Sequence, residues 1–109
     1  MIDMPEKAEA LMDKLKASLP IVAIIPAWLA KELAEKSPDV TIPKQCNIID
    51  VIYTGDMGGI LCSLDIDSVD PHLVSITHLG FNRSIPLARE IDAYQRHRIK
   101  KLKQQPTYH

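Results

Sequence analysis

The chain has 109 residues, which predicts one domain with a single modest hydrophobic core and leaves little room for a second. Hydrophobic residues make up 46% and charged residues 25% of the chain, a composition that argues against a disordered or fibrous protein. The net charge of −1 hides an asymmetry, because residues 1–81 hold 6 basic and 12 acidic side chains (net −6) and residues 82–109 hold 7 and 2 (net +5). We therefore expect the basic end to bind either the acidic body of the protein or an anionic partner.

Two amphipathic helices are predicted in the N-terminal third. Apolar residues recur at helical spacing between residues 5 and 18. A second helix is predicted to begin at Pro26 and to stop at Ser37, with Trp28, Leu29 and Leu33 on its apolar side. Between the helices, the β-branched run IVAII fits a short strand or a buried linker, and the flanking prolines favour an extended connection.

The apolar run that contains this connection, LPIVAIIPAWLA, bears on location. It is too short to span a bilayer and carries two prolines. It also lacks the basic region and the cleavage site of a secretory signal. We therefore expect a soluble, cytoplasmic protein without membrane association.

A β-hairpin is predicted in the middle of the sequence. After a proline-interrupted loop over residues 38–46, the β-rich runs NIIDVIYT and ILCSLDI are separated by GDMGG, whose three glycines can supply the positive φ angles of a tight reversal. A phosphate-binding loop would instead need a helix after the glycines. Alternation predicts two apolar strand faces, one formed by Ile49, Val51 and Tyr53 and the other by Ile60, Cys62, Leu64 and Ile66.

A third antiparallel strand is predicted in LVSITHLGF (residues 73–81), where Val74, Ile76 and His78 alternate with polar residues. The last helix is predicted from about Ile85 to Lys103, and residues 104–109 are expected to fray. The expected fold is thus α+β, a single domain over residues 1–109. It has two N-terminal helices, a three-stranded antiparallel β-meander and a C-terminal amphipathic basic helix.

The basic residues of the last helix are not scattered. At about 100° per residue, the side chains of a basic stripe gather within about 60° of one another on the far side of the apolar face. The basic stripe consists of Arg89, Arg96, Lys100 and Lys103. Its simplest interpretation is a solvated helix end whose cations interact with the helix dipole. The alternatives are contact with an acidic protein surface, of this chain or another, or with nucleic acid.

Arg98 is the exception in this helix, since it falls near the middle of the apolar face. A buried guanidinium needs a partner. Either the helix stops packing before Arg98, or a carboxylate such as Asp50 or Asp65 meets it. The sequence favours the first of these.

The remaining candidates are weaker. Acidic residues and histidines (Asp56, Asp65, Asp67, Asp70, His72 and His78) supply metal-ligand types without a metal-ligand spacing, with His72 predicted in a loop and His78 half-buried in a strand. Cys62 is predicted to be a packed free thiol and Cys46 a loop thiol. The connection THLGFNRSIP offers His78, Asn82 and Arg83 as a small-ligand site, although Asn82 or Ser84 as a helix cap is the preferred interpretation.

The leading hypothesis is a small non-enzymatic interaction or regulatory module whose basic C-terminal helix contacts an acidic partner, with nucleic acid as its sharpest version. The alternatives are a small-ligand binder or enzyme with a site around His78 and Arg83, and a subunit of a larger assembly. No catalytic residue, metal site or cofactor is assigned. Two free sheet edges and a small core make homo-oligomerisation a further expectation.

Overall fold

The computed structural model describes residues 5–55, 58–66 and 72–104. Within them the elements are α1 (Pro5–Ser18), β1 (Ile21–Ile24), α2 (Ala27–Lys36), β2 (Gln45–Tyr53), β3 (Ile60–Leu64), β4 (His72–Ser75), a 3₁₀ helix (Ile76–His78) and α3 (Ala88–Gln104). The fold class is α+β, as predicted. The described part contains four strands where three were predicted, because residues 21–24 form a strand and not merely an extended connection.

The four strands form one antiparallel sheet in the order β1-β2-β3-β4. The predicted hairpin is confirmed, since β2 and β3 pair in antiparallel register and Tyr53 lies opposite Ile60. Gly55 and Gly59 at the hairpin connection have φ angles of +73° and +65°, which glycine adopts without the steric cost of a Cβ atom. Asp56 and Met57 lie outside the described residues.

β1 is held from both sides. On one side it pairs with β2, where Ile21 faces Ile48. On the other side Ile24 exchanges two backbone hydrogen bonds with Gly80, of 2.7 and 2.8 Å. The segment that follows β4 therefore returns to the first strand and occupies part of its free edge, a contact between residues 56 positions apart that local sequence patterns do not reveal.

A β-bulge in β2 overturns part of the predicted alternation. Ile48 pairs with Leu64 and Asp50 pairs with Ser63, so Ile49 is the extra residue of the bulged strand. As a result Ile48 and Val51 are buried and Ile49 is exposed, whereas the sequence placed Ile49 in the core. On β3 and just beyond it, the predicted apolar face of Ile60, Cys62, Leu64 and Ile66 is buried as expected.

The strand predicted across residues 73–81 is shorter than expected. β4 ends at Ser75, whose hydroxyl donates to the Gly58 carbonyl (3.0 Å) and accepts from the Thr77 amide (3.3 Å). The hydroxyl thereby caps the 3₁₀ helix that replaces the second half of the predicted strand. His72, predicted in a loop, instead begins β4.

The helices agree closely with the sequence patterns, apart from the start of α3. α1 covers the predicted residues, and α2 buries Leu29 and Leu33, although Trp28 is exposed. α3 begins at Ala88, three residues later than predicted. α1 packs against β2, and α3 packs against the 3₁₀ helix. None of the described helices is long and apolar enough to cross a membrane.

Candidate functional site

α3 carries the predicted basic stripe on its water-facing side. The side chains of Arg89, Arg96, Lys100 and Lys103 are all exposed. From Arg89 to Lys103 the helix rises about 21 Å at about 1.5 Å per residue. The stripe is therefore a straight row of four cations along one helix, accessible along its length.

Arg83 lines a groove beside this stripe. The groove, of about 460 Å³, lies between the turn before α3 and the first half of the helix, and Arg83, Arg89 and Arg96 all line it. Phe81 and Ile91 contribute its apolar part. The basic stripe and the strand-to-helix connection therefore both contribute arginines to this groove. We call it the three-arginine groove.

Hydrogen bonds fix the walls of this groove. The Gln95 side-chain amide donates to the carbonyls of Ile76 (2.7 Å) and Leu79 (2.8 Å), which ties α3 to the 3₁₀ helix. The Asn82 carboxamide oxygen accepts from the Ser84 amide at 3.0 Å. Because α3 begins at Ala88, Asn82 and Ser84 stabilise the preceding turn and do not cap the helix, contrary to the preferred interpretation.

The groove also contains an acidic residue. Asp92 lines it and forms an ion pair with Arg96, with 2.9 Å between Oδ2 and Nε. Both side chains are largely exposed, so an i,i+4 pair of this kind contributes only about 0.3–0.5 kcal/mol. Arg96 can therefore exchange Asp92 for an external anion at small cost.

Arg98 points the other way. It is only 3% exposed, so the expectation that the helix stops packing before this residue was wrong. Its guanidinium lies against Gly59, where a Cβ atom would come within 2.9 Å of Nη1. Tyr94 reaches the same place and its hydroxyl accepts from the Ile60 amide at 3.2 Å. Asp50 and Asp65, the carboxylates that the sequence offered to Arg98, are both exposed.

His78 lies away from the groove. It is exposed on the 3₁₀ helix, and its ring meets the Trp28 ring edge-to-face, with centroids 5.3 Å apart and an interplanar angle of 84°. The prediction of a half-buried strand histidine was wrong, because β4 ends at Ser75. Of the predicted small-ligand residues, Arg83 lines the groove and His78 does not.

His72, which the sequence predicted in a loop, is a buried histidine. It is buried at the start of β4, and neither ring nitrogen has a hydrogen-bond partner among the described residues. Asp56, Asp67 and Asp70 lie outside the described residues. Among the residues that are described, no group of three His, Cys, Asp or Glu side chains could hold a metal ion.

The two thiols are poorly suited to nucleophilic chemistry. Burial raises the pKa of Cys62 to about 12, and the neighbouring Cys46 adds to the rise. Burial also raises the pKa of Cys46, which lies in β2 and not in the predicted loop, and the charge of Asp65 adds to it. Both thiols are therefore protonated at neutral pH, whereas nucleophilic attack requires the thiolate.

Comparisons with protein-family models, with curated proteins and with solved structures found no match to this chain.

Proposed function

We propose that the protein is a small non-enzymatic interaction module that binds an anionic partner through the basic stripe and the three-arginine groove of α3, with nucleic acid as the most specific form of that partner. The observation that carries this proposal is the convergence of Arg83, Arg89 and Arg96 on one groove. A guanidinium presents a planar fork of donors that matches phosphate and carboxylate oxygens. Three such groups from two parts of the chain favour an anion over a merely solvated surface.

The shape of the cationic surface supports an extended partner. Beyond the groove, Lys100 and Lys103 continue the row, so the whole surface is longer than a single small anion requires. One strand of a nucleic-acid duplex carries a phosphate for about every 3.4 Å of rise along the duplex axis, so a row of about 21 Å is long enough to lie beside several phosphates. An acidic protein segment in an extended conformation presents a comparable row of charges, and it is the competing partner in the test below.

The groove arginines provide the test. A labelled single-stranded oligonucleotide, its duplex and a labelled glutamate-rich peptide are titrated with the wild type and with the double variant Arg83→Gln, Arg89→Gln. We expect weaker binding, and a slope of log K against log salt that is smaller by about two for the duplex, since each phosphate contact contributes about 0.9.

The matched control for this test is the double variant Lys31→Gln, Lys36→Gln, which removes the same charge from exposed positions on α2. It should retain most of the affinity. If the two double variants weaken binding equally, net charge and not the groove is responsible, and the proposal fails. Binding of the peptide alone would assign the surface to an acidic protein partner.

A second candidate function, a subunit of a larger assembly, is supported by the outer sheet face. This face, opposite the core, carries the aliphatic side chains of Val22, Ile24, Ile52, Leu61 and Leu73. Aliphatic side chains grouped on one solvent-accessible sheet face are typical of interfaces. The outward-facing residues of the described strands include no Lys, Arg or His, so the outer sheet face suits a second uncharged sheet and not an anionic partner.

Self-association through the outer sheet face can be tested with matched exposures. Ile52 and Leu73 are 42% and 48% exposed, and Ile99 and Leu102 on α3 are 41% and 44% exposed. If the face forms a dimer, Ile52→Lys with Leu73→Lys should shift the mass measured by light scattering to that of a monomer, whereas Ile99→Lys with Leu102→Lys should not. A monomeric wild type at high concentration would rule out self-association through the outer sheet face.

A further inference from the structure

A second groove lies between α1 and α3, on a different side of α3 from the basic stripe. It has a volume of about 340 Å³. Small residues among its lining leave this space open, namely Ala8 and Ala10 of α1 and Ala93 of α3. Leu11 and Tyr94 provide larger apolar walls. The volume falls within the range of about 300–1,000 Å³ that is typical of small-molecule sites.

The charges at the rim of this helix groove are unequal. Lys7, Lys14 and the His97 ring border it, and Glu90 is the one carboxylate among the described residues of its lining. The two lysines lie one above the other on α1, about 10 Å apart along the helix axis at about 1.5 Å per residue. The apolar part of a ligand can therefore pack against the apolar residues of the groove. Its acidic head group can pair with a lysine at either end of the α1 side of the rim.

We propose that the helix groove binds a small amphipathic anion, a compact apolar body with one carboxylate or sulfonate group. Apolar contact with Leu11, Tyr94 and the alanines supplies the affinity, and the lysines select the negative head group. This proposal does not rest on the anionic-partner function. The helix groove and the three-arginine groove have no described lining residue in common, so the two sites can be disabled separately.

Sodium decanoate, kept below its micelle-forming concentration, is the first probe, and decanol is its uncharged counterpart. Amide shifts in a two-dimensional nitrogen–proton NMR titration report the position of binding. We expect saturable shifts confined to residues of α1 and α3, with decanol at least about tenfold weaker. Equal binding of decanol, or shifts centred on Ile52 and Leu73 of the outer sheet face, would overturn the proposal.

Filling the groove tests its location. Ala93 is exposed, so Ala93→Trp can occupy the groove without replacing a core side chain, and Ala34→Trp makes the same change at an exposed position on α2. Decanoate affinity should fall at least tenfold in the first variant and stay unchanged in the second. Unchanged affinity in Ala93→Trp, with its amide spectrum otherwise like the wild type, would contradict the assignment.

Removing the lysines tests the recognition of charge. Lys7→Gln with Lys14→Gln should weaken decanoate several-fold and leave decanol unchanged, with Lys31→Gln and Lys36→Gln as the control pair. A titration with anilinonaphthalene sulfonate shows whether the groove prefers an aromatic or an aliphatic ligand. Whichever of this anion and decanoate binds with the lower Kd identifies the ligand class. Loss of both decanoate and decanol in the lysine variant would show that the lysines shape the groove and do not select charge, which would refute their proposed role.

Discussion

Arg96 and Arg98 lie two residues apart on α3 and face opposite environments. The Arg96 side chain is 78% exposed and shares an ion pair with Asp92, whereas Arg98 is 3% exposed against Gly59. Two residues turn a helix by about 200°, so neighbouring cations of one basic run can belong to the surface and to the core. A count of basic residues therefore overstates the charge available to a partner, and only the stripe and Arg83 belong to the proposed interface.

The largest expected effect is on the buried side. Arg98→Ala should lower the free energy of unfolding by about 2–5 kcal/mol, because it removes a long buried side chain and leaves a cavity. Arg96→Ala should cost no more than about 0.5 kcal/mol, the contribution of an exposed ion pair. Urea denaturation of both variants measures the contrast. Equal losses of unfolding free energy in the two variants would contradict the difference in burial between Arg96 and Arg98.

The glycine beneath Arg98 gives the next effect. Gly59→Ala should cost about 2–4 kcal/mol, because it combines a positive φ angle with a collision between the new Cβ and both the Tyr94 hydroxyl and the Arg98 guanidinium. Gly55→Ala is the matched control, since Gly55 has a similar φ angle and, apart from its chain neighbours, no atom of the described residues lies within 4 Å of the added carbon. It should cost only about 1–2 kcal/mol. A control variant at least as destabilised as Gly59→Ala would contradict the close packing of Arg98.

Tyr94 should show a smaller effect on the same side of the helix. Tyr94→Phe removes the acceptor of the Ile60 amide at 3.2 Å and keeps the ring. We expect a loss of about 0.5–1.5 kcal/mol in thermal or urea unfolding. Faster hydrogen exchange at the Ile60 amide should accompany it, and unchanged exchange there would show that this hydrogen bond is not formed in solution.

The smallest effect on stability is expected at Asp92. Asp92→Asn removes the ion pair of Arg96 and should cost at most about 0.5 kcal/mol. It also removes the one carboxylate among the residues that line the three-arginine groove, so affinity for an anionic probe should rise. Asp13→Asn, an exposed change on α1, controls for net charge and should raise affinity less. Weaker binding by Asp92→Asn would mean that Asp92 positions Arg96 for the partner.

Local sequence patterns predicted the parts of the fold that depend on local periodicity. The bounds of α1, the hairpin between β2 and β3, and the buried face of β3 all follow from residue spacing and glycine placement. Long-range contacts account for what the patterns missed. β1 pairs with β2 along its whole length and bonds Gly80 on its other edge, and the bulge at Ile49 shifts the alternation of β2.

The candidate site was predictable to a similar extent. Helical geometry placed the basic stripe on one side of α3 from the sequence alone, and its exposure agrees with that placement. The approach of Arg83 to Arg89 and Arg96 depends on the turn that Asn82 stabilises and on the contacts of Gln95 with the 3₁₀ helix. The Asn82 turn is local, but the Gln95 contacts join residues 16 and 19 positions apart, which local spacing does not identify. The same holds for Arg98, whose burial depends on the hairpin glycine.

The most direct test of the proposed function is the binding of labelled single-stranded and duplex nucleic acids to the wild type and to the stripe variant Arg89→Gln, Arg96→Gln, Lys100→Gln, Lys103→Gln. The salt series runs from about 50 to about 200 mM, and protein purity is checked by the absorbance ratio at about 260 and about 280 nm. We predict micromolar affinity for the wild type that falls with salt, and loss of binding in a stripe variant that unfolds like the wild type. Absence of binding at low salt, or equal binding by the stripe variant, would contradict the nucleic-acid form of the proposal.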